Sequence, residues 1–108
     1  MNDSAIALDR TFHALADPNR RAILALIRNE CRPVGEIAEV LGLSQQIVSH
    51  HLKVLRAAAL VTGSRSGARH LFMVRTEGLA IGKEFFDDFW PDRLQALKRA
   101  VESSDGGK

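Results

Sequence analysis

The 108-residue chain has 45% hydrophobic and 26% charged side chains. That balance suits a soluble globular protein with one modest core and argues against wholesale disorder. No apolar run approaches the roughly 20 residues of a spanning helix, and no basic segment followed by an apolar one opens the chain. Neither a membrane span nor a signal peptide is therefore expected. The lone Cys31 rules out an internal disulfide framework and fits a reducing cytoplasm.

The net charge of +2 is unevenly spread. Between Ser44 and Arg75 stand Lys53, Arg56, Arg65, Arg69 and Arg75 with no acid at all. Residues 1–43 hold five bases and six acids, and residues 76–108 five bases and seven acids. A cationic middle third on near-neutral flanks is the pattern of a phosphate-contacting segment on a neutral scaffold.

Taken in order, Ala5, Leu8, Phe12 and Leu15 repeat at three and four, predicting an amphipathic helix over about 4–15. Asp17-Pro18 reads as an N-cap followed by proline at the first helical position. The helix it opens carries Ile23, Leu24, Leu26 and Ile27 and ends near Arg28 or Asn29. Cys31-Arg32-Pro33 reads as a connector, and a third helix over about Val34–Leu41 turns Ile37, Ala38 and Leu41 inward. Gly42 stands where a left-handed C-terminal residue is commonly needed.

Ser44 is a good N-cap for the next helix, Ser44–Ala58, in which Val48, Leu52 and Leu55 form one apolar stripe. Its other side carries Gln45, Gln46, Ser49, His50, Lys53 and Arg56, and no carboxylate. That side suits an anionic surface. Two short helices around the Gly42 turn make a helix-turn-helix. His51 sits at the edge of the apolar stripe, where an aliphatic residue is the simpler expectation.

Beyond Leu60 the period changes to two. Val61–Arg65 and Arg69–Arg75 read as strands around Ser66-Gly67-Ala68, a hairpin wing that must pack on the helices beside it. Arg65 and Arg69 flank its tip, where they can straddle a phosphate backbone or enter a minor groove. Thr76-Glu77 opens a further helix bearing Leu79, Ile81, Phe85, Phe86, Phe89 and Trp90. Pro91 is expected to break or kink it before Leu94, Leu97 and Val101 resume the spacing. Four of the six aromatic residues fall between 85 and 90. Together with Leu8 and Phe12 of the first helix, Phe85, Phe86, Phe89, Trp90, Leu94 and Leu97 read as a dimer interface. The expected architecture is mainly α with a small β-hairpin, a dimeric winged helix-turn-helix in the order α-α-α-α-β-β-α(-α). A single domain over 1–102 precedes a disordered tail, 103–108.

Ala16-Asp17-Pro18-Asn19-Arg20-Arg21-Ala22-Ile23-Leu24, Gly35-Glu36-Ile37-Ala38, Leu43-Ser44-Gln45 and Val48-Ser49-His50-His51-Leu52-Lys53-Val54-Leu55 resemble the ArsR/SmtB family of bacterial winged-helix repressors. The resemblance covers about residues 5–101. It implies a homodimer joined through the first and last helices, bound to a palindromic operator, usually at its own promoter. It also implies that Ser44–Ala58 is the recognition helix. On that reading Gln45, Gln46, Ser49 and His50 meet base edges or nearby phosphates, and Ser44, Lys53, Arg56, Arg65 and Arg69 complete the DNA contacts. Family members often have Pro-Thr or Pro-Ala where this chain has Gln46-Ile47, which adds an amide able to read adenine.

One family metal site is a cysteine cluster before the recognition helix, where Val34–Leu41 holds no thiol. The other uses histidines and carboxylates of the last helix, where residues 77–102 hold Glu84, Asp87, Asp88 and Asp92 but no histidine. Zinc and copper sites ordinarily want imidazole or thiolate, so no metal and no cofactor is expected. The resemblance is closer to the non-metal, autorepressor-like branch. An organic inducer or oxidation at Cys31 stay open as inputs, with metal the least favoured. No nucleophile–base–acid set is present, so no enzyme is expected.

Overall fold

The computed structural model describes residues 3–106, leaving aside the side chains of 90–94 and 104–106. Among the described residues, five helices carry a three-stranded antiparallel sheet in the order β1-β3-β2. Helix α1, Asp3–Leu15, buries Thr11 and Ala14. Its Leu8 and Phe12 are only half-buried, and Phe12 turns toward the last helix. Helix α2, Pro18–Ile27, opens on the cap the sequence predicts: Asp17 Oδ1 accepts from the backbone N–H of Asn19 at 2.8 Å and of Arg20 at 3.2 Å.

The segment read as a connector is instead a short strand. β1, Arg32–Pro33, pairs with β3 in the register Arg32↔Phe72 and Pro33↔Leu71. Two residues cannot show a period of two, and proline fits an edge strand because its missing N–H leaves no central ladder bond unmade. Pro33, at φ −78° and ψ 160°, delivers the chain straight into α3, Val34–Leu41.

The turn after α3 follows from backbone chemistry. Gly42 adopts φ 68°, so that its N–H reaches Glu39 O and the N–H of Leu43 reaches Ala38 O at 3.0 Å. That is the Schellman arrangement, and it sets the angle at which α4, Gln45–Ala57, leaves. Ser44 Oγ accepts from Ile47 N at 3.1 Å to close the start of α4. Its end repeats the arrangement, with Leu60 N to Leu55 O and Ala59 N to Arg56 O, both 3.0 Å. Here an alanine, Ala59, holds the left-handed φ of 57°, at a cost of about 1 kcal/mol relative to an ordinary helical residue.

Strands β2, Val61–Ser66, and β3, Arg69–Val74, form the wing. Gly67 at φ 63° supplies the positive φ that a two-residue II′ hairpin turn needs at its first central position. Helix α5 runs from Thr76 to Gly106 without the break expected at Pro91, and past Ser103, where the tail was placed. Proline removes one ladder bond and crowds one carbonyl, but the apolar spacing on both flanks is helical, so the helix continues through it.

The core lies where α2, α3 and α4 meet the root of the wing, with Ile23, Ile27, Ile37, Val48, Leu52, Leu55, Leu60 and Val61 almost fully buried. Helix α5 approaches it most closely at Gly78. A Cβ on Gly78 would stand 2.3 Å from Ala58 O and 2.9 Å from Ala59 O, so only glycine lets α5 approach the turn after α4. Thr11 Oγ1 donates to Gly78 O at 3.2 Å, pinning α1 to the same place. Beyond that pin α5 projects. The radius of gyration is 19.4 Å, against about 13 Å for a compact chain of this length.

Candidate nucleic-acid interface

Helix α4 separates its two faces cleanly. Val48, Leu52 and Leu55 are 0–2% exposed, whereas Gln45, Gln46, Ser49, His50, Lys53 and Arg56 all face solvent, as does the cap Ser44. The six therefore share one surface. Gln45 leans back over α3, where a Cβ on Gly35 would stand 3.5 Å from its Nε2. Lys53, Arg56 and Arg65 have no ion-pair partner among the described residues. An exposed row of unpaired cations beside uncharged donors, with no carboxylate in it, leaves its field uncompensated.

The two wing arginines differ. Arg65 is free among the described residues, while Arg69 Nη2 donates to Glu36 Oε2 at 2.8 Å. Glu36 also faces Arg32 at 3.8 Å, so this one carboxylate straps the wing and β1 to α3. Glu36 stands outside the acid-free window that composition defines, and only the tertiary fold brings it to Arg69.

Three further residues escaped the sequence reading. Arg20 is 8% exposed, with its guanidinium donating from Nε to Ala14 O at 2.8 Å and from Nη2 to His13 O at 3.0 Å. Its Nη1 lies 3.3 Å from Nδ1 of the buried His51. Arginine has no acceptor, so His51 Nδ1 accepts, and its ring carries its proton on Nε2. This explains the histidine on the apolar stripe of α4: it is the socket for a buried arginine that fastens α4 to the α1–α2 corner. The signal was present, because Arg20, Ile23 and Ile27 share a three-and-four spacing. Asp17 stands beside the same guanidinium, 4.0 Å away. Partial desolvation raises its pKa, but the N–H bonds from Arg20 and Asn19 and the nearby Arg20 charge outweigh it and hold the carboxyl below its ordinary value. Ile47 is the second, an aliphatic side chain 47% exposed among the polar residues of the α4 face. The third is His70, whose ring lies over Gly63: a Cβ there would stand 2.4 Å from His70 Nε2.

The predicted interface residues gather on the far side. Phe12 meets Phe85 and Phe86 edge-on at 5.5 and 5.8 Å, and Phe85 meets Phe89 at 5.0 Å. The cluster is unfinished, since Phe86 and Phe89 are 51% and 57% exposed and Leu97 62%. The side chains of Trp90 and Leu94 lie outside the described residues. Among the described residues no three His, Cys, Asp or Glu side chains gather to hold an ion, and Cys31 is exposed at the lip of β1.

A helix-turn-helix domain model matches residues 15–64, from the end of α1 through α2, α3 and α4 into β2. The HTH-type transcriptional regulator Rv2034 of Mycobacterium tuberculosis is 38% identical over 95 residues, which span 88% of this chain and 89% of that protein. An ArsR-like transcriptional regulator from Rhodococcus sp. RHA1 superposes with a TM-score of 0.75 at 25% identity, covering 92% of this chain and 96% of that one. The chain belongs to the ArsR/SmtB family. Its fold is the winged helix-turn-helix, and its relatives are transcriptional regulators rather than enzymes. The homodimeric winged helix-turn-helix DNA-binding domain of Mb0332 from Mycobacterium bovis, described as a possible ArsR-family transcriptional regulator, matches at a TM-score of 0.65 and 27% identity, over 97% of this chain and 90% of that one. No helix among the described residues is long and apolar enough to cross a membrane.

Proposed function

We propose that this chain is a homodimeric, metal-independent transcriptional repressor that acts in the cytoplasm and binds a palindromic operator, including one at its own promoter. The observation that carries the reading is the α4 face: six exposed polar or cationic side chains without one carboxylate, on a helix whose other face is fixed in the core. In such a complex the two α4 helices enter successive major grooves about one helical turn apart. Gln46 and Ser49 read base edges, Ile47 meets a thymine methyl, and Lys53, Arg56 and Arg65 hold phosphates. Arg69 joins them only by exchanging Glu36 for a phosphate.

The unfinished aromatic cluster of α1 and α5 supports dimerisation. A projecting helix that leaves Phe86, Phe89 and Leu97 half or more exposed is explained by a second copy covering them. The donor chemistry supports metal independence, because α5 offers carboxylates and no imidazole, and α3 no thiol. A gel shift with the duplex upstream of the chain's own reading frame tests the function. A shift saturating at two chains per site is expected, and no shift at low salt with any duplex would sink the proposal.

A further inference from the structure

Between α4 and the wing lies a cavity of about 510 Å³, lined by Val34, Ser49, Leu52, Lys53, Arg56, His70 and Phe72. Its size falls in the range of small-molecule sites, about 300–1,000 Å³. The floor is apolar: Leu52 and Phe72 are 2% and 7% exposed, and Val34 opens α3 beside them. The rim is polar and cationic, made of the Ser49 hydroxyl, Lys53, Arg56 and the His70 ring, which lies tilted against Phe72 at 4.5 Å. No carboxylate lines it, and Glu36 on the neighbouring helix is taken by Arg69 and Arg32.

From this combination we infer that the cavity binds an amphipathic organic anion: an aromatic or branched apolar body on the floor, its carboxylate held by Lys53 and Arg56. A phosphodiester backbone satisfies the rim but has nothing to lay on Val34, Leu52 and Phe72. A neutral apolar molecule satisfies the floor but leaves two unpaired cations beside it. Only a molecule with both parts matches both surfaces. Gly63 belongs to the design, because any side chain there displaces the His70 ring that forms one wall.

Ser49, Lys53 and Arg56 also belong to the proposed DNA face. An occupant of this cavity therefore covers three operator contacts and acts as an inducer by direct competition. That consequence rests on the repressor reading, whereas the binding itself does not.

The probe is 2-naphthoate, with 2-naphthalenemethanol as its neutral counterpart, titrated into the full chain without DNA. Methyl NMR shifts of Val34 and Leu52 report the floor, and calorimetry gives the affinity. Saturable binding of naphthoate is expected, with the alcohol, Lys53→Gln and Arg56→Gln each weaker by about tenfold, the scale of one charge-assisted hydrogen bond. Val34→Phe, which fills the floor, should abolish binding; the two exposed rim variants keep the test valid if that chain fails to fold. Absence of binding at millimolar naphthoate overturns the site, as does equal binding of the alcohol or wild-type affinity in both rim variants. A second arm follows a fluorescent duplex. A protein that binds naphthoate but no duplex retires the repressor reading and keeps the site, while one that binds duplex but not naphthoate retires the site alone. Where both bind, naphthoate must raise the apparent Kd for the duplex competitively, and an unchanged Kd refutes the inducer role.

Discussion

Replacing Arg20 with methionine keeps an unbranched stem as far as the position of Nε and removes every donor. Three acceptors lose their partner: Ala14 O at 2.8 Å, His13 O at 3.0 Å and His51 Nδ1 at 3.3 Å. A buried polar atom left unsatisfied costs about 1–3 kcal/mol. The Ala14 bond is buried and takes the upper part of that range, while the His13 bond is part-buried and is partly rescued by water. A total loss near 3 kcal/mol is expected, a large share of the roughly 5–15 kcal/mol that holds a domain together. In thermal unfolding at fixed protein concentration, this corresponds to a fall in Tm of roughly 10–20 °C. A double-mutant cycle with His51→Leu isolates the link to α4, with an expected coupling of about 1 kcal/mol. A loss below about 1 kcal/mol, or additive single mutants, would show that Arg20 does not fasten α4.

Four other perturbations probe different parts of the molecule. Gln46→Ala should relax preference at particular base pairs by about 1–3 kcal/mol, and replacing thymine by uracil opposite Ile47 should weaken wild type more than Ile47→Ala. Equal weakening of Gln46→Ala on specific and random duplexes would mean that Gln46 touches only phosphate. Phe86→Asp should convert the dimer to monomer in sedimentation velocity, because it places a charge in the half-exposed aromatic cluster; an unchanged sedimentation coefficient contradicts that surface. Gly78→Ala should destabilise by about 1–3 kcal/mol despite alanine's better helix propensity, since the new Cβ meets the backbone carbonyl of Ala58 at 2.3 Å. Wild-type stability in chemical denaturation would show that α5 is not pinned there.

Local signals carried most of the fold. The Asp17-Pro18 cap, the Gly42 turn and the Ser44 cap each act within a few residues, so their elements began and ended where spacing placed them. The exposed face of α4 was legible for the same reason, because a helical period of 3.6 assigns sides without tertiary knowledge. What escaped needed partners far along the chain. β1 exists only because β3 lies beside it, about 40 residues later, and no local period announces a two-residue strand. The Arg20–His51 and Glu36–Arg69 pairs join residues 31 and 33 positions apart. The cavity above Phe72 forms only when α3, α4 and the wing are all in place. At Pro91, where a break or a kink is expected, the helix is not broken, because apolar spacing on both sides carries it through.

The central claim is that α4 and the wing bind duplex DNA as a dimer. Fluorescence anisotropy on a palindromic duplex selected from a random pool, repeated across a salt series with wild type and Lys53→Gln, tests it most directly. Tight sequence-selective binding at two chains per duplex is predicted. The slope of log K against log salt should fall by about 0.9 for each phosphate contact removed, roughly twice that for a dimer that loses two. A chain that selects no sequence from the pool and binds no duplex at low salt would contradict the claim.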